Sequence, residues 1–206
     1  MELLTIKQKL KKHRPVILGS DKFVKYAIIV PLIEKEDGLH VLFEVRSLNL
    51  RRQPGDTCFP GGKVDSQDTD EMAAGIRETM EELGLKREDI YEIYPLDYMI
   101  SPFGMMVYPF AAIIREPDDH SINENEVDSL FTVPLSFFLE QEPDIHYVEF
   151  RIEPPEDFPF ELIVGGEDYD WSPRKMEEYF YYYENRTIWG MTARILNHFI
   201  ELIQKD

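Results

Sequence analysis

Between Arg46 and Leu85 the chain places a glycine-rich turn, Phe59-Pro60-Gly61-Gly62-Lys63, ahead of the run Arg77-Glu78-Thr79-Met80-Glu81-Glu82-Leu83-Gly84-Leu85. Asp68-Thr69-Asp70-Glu71 offers an acidic N-cap with a glutamate three residues later, a capping box, and Gly84 suits the residue just past a last turn. A helix from Thr69 to Leu83 is therefore expected. At roughly 100° per residue, with Glu78 at zero, Glu82 falls about 40° to one side and Glu81 about 60° to the other. Met72, Ile76, Met80 and Leu83 fall between roughly 120° and 200°, a stripe that would bury the helix and leave the carboxylates facing a cleft or solvent.

A solvated helix face is the ordinary explanation of such a charge run. Three crowded like charges repel, however, and something should neutralise them. Oxygen ligands without histidine or cysteine among them point to Mg²⁺ or Mn²⁺ rather than zinc, held by a few carboxylates, waters and substrate phosphates.

Gly62, an acidic residue six positions on (Asp68), and Arg77-Glu78-x-x-Glu81-Glu82-x-Gly84-Leu85 resemble the box of the Nudix hydrolases. The resemblance implies an α/β fold, an α/β/α sandwich with a mixed β-sheet and a catalytic loop-helix-loop, and cleavage of nucleoside diphosphates linked to another group. Two departures stand out. Thr79 occupies a position usually more apolar, and Gly62 to Arg77 is one residue longer than the general pattern, leaving Asp68 or the displaced Glu71 for the usual glutamate.

The longer spacing is similar to the coenzyme A diphosphatase branch. Upstream, Leu42-Phe43-Glu44-Val45-Arg46-Ser47, then Arg51, Gly55 and Phe59-Pro60-Gly61-Gly62 follow that branch's signature, with Phe43-Glu44 in place of the more usual leucine and threonine. Asn123-Glu124-Asn125-Glu126-Val127, Val133-Pro134-Leu135 and Ile188-Trp189-Gly190-Met191-Thr192-Ala193-Arg194-Ile195-Leu196 resemble it too.

The chain has 206 residues, enough for one full-sized core, and no low-complexity linker divides it. One domain is expected over 1–206, with an N-terminal extension (1–23) and an atypical insertion (140–186). A net charge of −18 argues against an open nucleic-acid groove, which binds largely through Lys and Arg. It leaves room for a small phosphorylated substrate, because a local cation and a few arginines reverse the field inside one cleft. No apolar run suggests a membrane span, the first residues lack a signal-peptide core, and the lone Cys58 forms no internal disulfide, so a cytoplasmic location is expected. Cys58 is read as a small packed hydrophobe rather than a reactive thiol. The aromatic excess and the family resemblance allow a homodimer.

Residues 3–13 read as a short amphipathic helix, docked or meeting a partner. Tyr26 to Glu34 reads as a buried strand, Asp37-Gly38 as a hairpin turn, and His40 to Arg46 as the return strand. Further strands are expected in Asp89–Ile100 and Val107–Arg115, flanking the turn Ser101-Pro102-Phe103-Gly104. Pro117–Asn125 reads as a polar loop, Val127–Leu139 as a short helix or strand, and Thr187–Ile203 as a closing helix. Residues 140–186 are the least legible; Gly165-Gly166 suggests a turn between short strands. The cluster Tyr179-Phe180-Tyr181-Tyr182-Tyr183 suits strand packing, an interface or a base-stacking pocket.

The metal ligands expected are Glu78 and Glu82, with Glu81 shared or orienting a water; the resemblance adds the Gly62 carbonyl. Arg77 is expected to clamp a glutamate. Glu126 is the loop candidate for general base, against a solvated loop glutamate. Arg46, Arg51 and Lys63 are the candidate phosphate contacts, against surface salt bridges. The implied activity is Mg²⁺- or Mn²⁺-dependent hydrolysis of coenzyme A or acyl-coenzyme A. The alternatives are another nucleoside diphosphate derivative, such as ADP-ribose or NADH, and a nucleotide-binding regulator without turnover.

Overall fold

A computed structural model describes residues 3–118 and 121–205. Met1-Glu2, part of the expected polar loop 117–125 and the last residue lie outside the described residues. The chain opens with helix α1 (Leu3–Lys12), then strands β1 (Val24–Lys35), β2 (Gly38–Arg46), β3 (Thr57–Cys58) and β4 (Gly61–Lys63). Helix α2 (Glu71–Leu83) leads to β5 (Ile90–Pro95), β6 (Met99–Ser101), β7 (Met105–Ile114) and β8 (Val127–Pro134). After α3 (Leu135–Glu140) come β9 (Asp144–Phe150), β10 (Arg174–Tyr183), β11 (Arg186–Trp189) and α4 (Gly190–Gln204).

The main sheet runs β3-β2-β1-β7-β5, with β4 also on β1, β6 on β7 and β8 on β2. β1 and β7 are parallel and the other pairings antiparallel, so the sheet is mixed. Alternation along β1 explains its place at the centre. Tyr26, Ile28, Val30 and Leu32 join the core that packs Ala193, Leu196 and Phe199 of α4, while Ala27, Ile29 and Ile33 join the core that packs Ala74, Ile76 and Leu83 of α2. Both faces of the sheet are thus covered by helix, the expected α/β/α arrangement.

Several expectations shift. Helix α2 starts at Glu71 rather than Thr69, because Asp70 is the N-cap and its carboxylate accepts from the Ala73 amide at 2.8 Å. Its C-terminal end is as expected, with Gly84 at φ 64°. The glycine turn is instead strand β4, aligned on β1 with Ile28 opposite Gly61 and Tyr26 opposite Lys63. The closing helix begins only at Gly190, since Arg186–Trp189 pairs with β10. The segment 140–186 supplies β9 and β10 of a second sheet, β11-β10-β9, with Gly165-Gly166 in the long excursion between β9 and β10. From the tyrosine cluster, Tyr181 is buried and its hydroxyl donates to Asn197 at 3.0 Å, which is strand packing. Helix α1 forms, but none of its residues is buried, so it is not docked.

Candidate active site

Strand β4 lies between β1 and α2 because it is nearly without side chains. A Cβ on Gly61, at φ 143°, would stand 2.3 Å from the Ala27 carbonyl oxygen, and one on Gly62 would stand 2.4 Å from the Glu78 Cδ. Only glycine admits both approaches. Glu78 therefore lies on the backbone of Gly62, and the Gly61 amide donates to Glu82 at 2.8 Å.

The helix wheel placed three carboxylates on one open face, but their burial is graded. Glu82 is only 5% exposed, Glu78 half-buried and Glu81 exposed. Of the expected apolar stripe, Ile76 and Leu83 are buried whereas Met72 and Met80 are half-covered. Thr79 is fully buried, its hydroxyl satisfied by donating to the Gly75 carbonyl at 2.7 Å. Burial, with the charge of Glu44 next, pushes Glu82 up to about 10.

Arg77 organises the rim. Its guanidinium donates to both oxygens of Asp68 (3.0 and 3.1 Å), to Glu78 (2.9 Å), more distantly to Glu81 (3.5 Å) and to the Lys63 carbonyl (3.4 Å). Hydrogen bonds from Arg77 hold the Asp68 carboxyl below its usual range. The lengthened spacing thus leaves Asp68 as the partner of the arginine. Glu71, the other candidate for that position, pairs with Lys25 at 2.9 Å.

The residue that sequence reasoning passed over is Glu44. It shares the face of Leu42 on β2, toward α2, and is 1% exposed. The Cys58 thiol donates to its Oε1 at 3.0 Å, and its Oε2 is buried with no hydrogen-bond partner. Burial pushes Glu44 up to about 7, and burial followed by the charge of Glu44 holds the Cys58 thiol protonated. Cys58 is therefore a hydrogen-bond donor as well as a packed group. The signal was a carboxylate inside the otherwise apolar run Leu42-Phe43-Glu44-Val45.

Glu126 reaches this cluster through its loop. The Asn123 amide donates to the Glu82 carbonyl (2.9 Å), the Ser121 hydroxyl to the Leu83 carbonyl (3.1 Å), and the Ser47 amide to the Glu126 carbonyl (2.8 Å). The loop is thereby tied to the end of α2 and to the end of β2. The charge of Glu126 raises Glu44, Glu78 and Glu82 alike. Arg46, at the end of β2, is half-buried with its Nε unpartnered; Arg51 is exposed in the following loop and Lys63 exposed at the end of β4.

Among the described residues, no three His, Cys, Asp or Glu side chains converge closely enough to grip a cation as they lie. Their oxygens are shared out among protein donors, Glu82 to Gly61 and Glu78 to Arg77. The donor chemistry nonetheless fits a hard divalent cation: oxygen only, with Glu44 Oε2 unpartnered and mutual repulsion for a dication to relieve.

The fold is shared with a MutT/nudix family protein from Enterococcus faecalis, at a TM-score of 0.54 and 17% identity, over 100% of this chain and 71% of that one. The NUDIX domain profile matches residues 23–162, more than half of the sequence, and the chain belongs to the Nudix family. It is 34% identical over 134 residues to the peroxisomal coenzyme A diphosphatase NUDT7 of Mus musculus, covering 65% of this chain and 56% of that protein. Against the peroxisomal coenzyme A diphosphatase ndx-8 of Caenorhabditis elegans it is 39% identical over 129 residues, 60% of this chain and 54% of the relative. The match spans little more than half the length of these two relatives. Among the described residues no helix is long and apolar enough to cross a membrane.

Proposed function

We propose that this protein is a Mg²⁺- or Mn²⁺-dependent hydrolase cleaving the diphosphate of coenzyme A or its thioesters to adenosine 3′,5′-bisphosphate and 4′-phosphopantetheine or its acyl form. The observation that carries the reading is the seating of Glu78 and Glu82 on the Gly61-Gly62 backbone, at the end of the Leu42-to-Gly62 signature. The names borne by the two coenzyme A diphosphatases support the choice of substrate.

In this reading Glu78, Glu82, Glu81 and the Gly62 carbonyl hold the cation. When bound, it neutralises the non-bridging oxygens of the diphosphate and makes water a better nucleophile. Arg77 holds Glu78 in place against Gly62 and is itself fixed by Asp68. Arg46, Arg51 and Lys63 contact the phosphates and orient the anhydride for in-line attack. Glu81 orients the water and Glu126 takes its proton. The water oxygen bonds to phosphorus, the bridging P–O bond breaks, and the leaving phosphate departs with the electron pair. Cys58, a thiol donor with no second cysteine in the chain, suits a reducing compartment such as the cytosol.

The test is a parallel panel of coenzyme A, acetyl-coenzyme A, ADP-ribose and NADH, with Mg²⁺ or Mn²⁺, using wild type and Glu82→Gln. Turnover of the coenzyme A compounds by wild type alone is the expected result. Turnover confined to ADP-ribose or NADH would retain Nudix chemistry and discard the substrate.

A further inference from the structure

Two oppositely charged side chains at the end of β2 each keep one polar atom without a partner. Among the described residues, Glu44 Oε2 and Arg46 Nε are buried and make no hydrogen bond. Of the other three such atoms, Asp89 Oδ1 and His198 Nε2 each face a partner, Arg115 at 2.7 Å and Asp97 at 3.0 Å, and His40 Nδ1 belongs to a ring already held by Asp37 at 3.0 Å. Glu44 and Arg46 stand two apart on β2, which puts them on one face of the strand, the face of Leu42 toward α2. They are close enough for the charge of Arg46 to bear on Glu44, yet neither unpartnered atom satisfies the other.

One short segment joins Glu44 to the carboxylates of α2. Glu44 stands opposite Cys58 of β3, whose thiol donates to its Oε1 at 3.0 Å; three residues on, the Gly61 amide donates to Glu82 Oε2 at 2.8 Å. Each carboxylate is thus anchored by one oxygen to an end of Cys58-Phe59-Pro60-Gly61, and Glu44 keeps its second oxygen for another partner. Glu82 feels the charge of Glu44 more strongly than that of Glu78, one helical turn away on its own helix.

The signs of the two free atoms select what fills the space between them. A cation alone would satisfy Glu44 and repel Arg46, and an anion alone would do the reverse. A divalent cation carrying a phosphate suits both, because the carboxylate oxygen meets the metal while the guanidinium meets a non-bridging oxygen. Glu44 stands where the resembled signature usually has threonine, so the box pattern by itself does not supply this carboxylate.

We infer that Glu44 is a further cation ligand, meeting through Oε2 the same divalent ion as Glu82 and so holding the metal-bound phosphate against Arg46. This rests on the cation-dependent reading of the site. Cys58 is then a positioning residue, fixing the carboxylate by its other oxygen.

The test is titration calorimetry with Mg²⁺ and with Mn²⁺ on wild type and two variants, with melting curves in chelator to verify folding. Glu44→Gln keeps the reach and loses the charge, whereas Glu44→Asp keeps the charge and loses the reach. Wild type should bind, and both variants should bind about tenfold or more weakly. A folded Glu44→Asp that binds as tightly as wild type leaves only charge acting through space and overturns the ligand assignment; a folded Glu44→Gln that does so overturns it too. If neither variant folds, anomalous scattering from wild-type crystals soaked in Mn²⁺ decides the point. Metal in bonding contact with Glu44 Oε2 supports the assignment, and metal held by Glu78 and Glu82 with Glu44 out of contact overturns it while leaving the cation reading standing. Wild type that takes up neither cation in solution or in crystals sinks that reading, and the part of Glu44 with it.

Discussion

Gly62 and Glu78 share one space: a methyl group on the glycine would lie 2.4 Å from the carboxyl carbon and 2.6 Å from one of its oxygens. Gly62→Ala should therefore move Glu78, since the three atoms nearest to such a Cβ all belong to the Glu78 carboxyl, the far end of a flexible side chain. Misplacement on that scale costs about a hundredfold in activity. Retention of kcat in a folded Gly62→Ala protein would show that Glu78 has no role at this position.

Asp68 reaches the α2 carboxylates through Arg77, and its Oδ2 also accepts from the Asp65 amide at 2.8 Å in the loop before α2. Asp68→Asn removes one charge from a bidentate pair and should raise the Mg²⁺ concentration for half-maximal rate about tenfold or more, with saturated kcat much less affected. The pH dependence carries a sign. Because Arg77 lowers the Asp68 carboxyl, its contribution to stability is present above the unfolded value and lost as pH falls through the folded one. Chemical denaturation below about pH 5 should accordingly show a shallower acid loss in Asp68→Asn than in wild type.

A carboxylate as buried as Glu82 is a burden until something of opposite charge meets it. In chelator at pH 8, Glu82→Gln should be inactive yet more stable than wild type, by on the order of 2 kcal/mol. Saturating Mg²⁺ at a hundred times its Kd should then stabilise wild type by about 2.7 kcal/mol and the variant far less. Calorimetry in which wild type ignores both Mg²⁺ and Mn²⁺ would count against a metal site here.

Gly84 sets the path of the Glu126 loop. It has φ 64°, and a Cβ there would stand 2.1 Å from the Ser121 carbonyl oxygen. Gly84→Ala should cost about 1 kcal/mol or more in stability. It should also lower kcat about tenfold by displacing Glu126. A urea titration paired with steady-state rates separates the two effects; a stable loss with kcat intact would free Glu126 of its assigned role.

The parts of this molecule legible in the sequence are those where one residue type answers one local demand. The carboxylates of α2, the glycine after its last turn and the hairpin at Asp37-Gly38 fall in this class, because periodicity and turn chemistry decide them. Strand β4 was hidden because three residues show no alternation, and only β1 makes Gly61–Lys63 a strand. The burial of Glu82 was hidden because a helix wheel ignores what packs on it, here β4 and Glu44. Residues 140–186 escaped because β9 and β10 pair across an excursion of more than twenty residues, so Arg174 meets Phe150 without a local turn signal. Arg77 and Asp68 both belong to the box, but their pairing was not legible, because the pattern left Glu71 as a rival for the acidic position and only the fold gives Glu71 to Lys25.

The most direct measurement is mass-spectrometric identification of the products from coenzyme A in ¹⁸O-labelled water with Mg²⁺ or Mn²⁺. The expected result is adenosine 3′,5′-bisphosphate and 4′-phosphopantetheine in equal amounts, with one ¹⁸O atom in one of the two newly exposed phosphates. Release of the 3′-phosphate to leave dephospho-coenzyme A, or recovery of intact coenzyme A while ADP-ribose or NADH is split, would contradict the proposed activity.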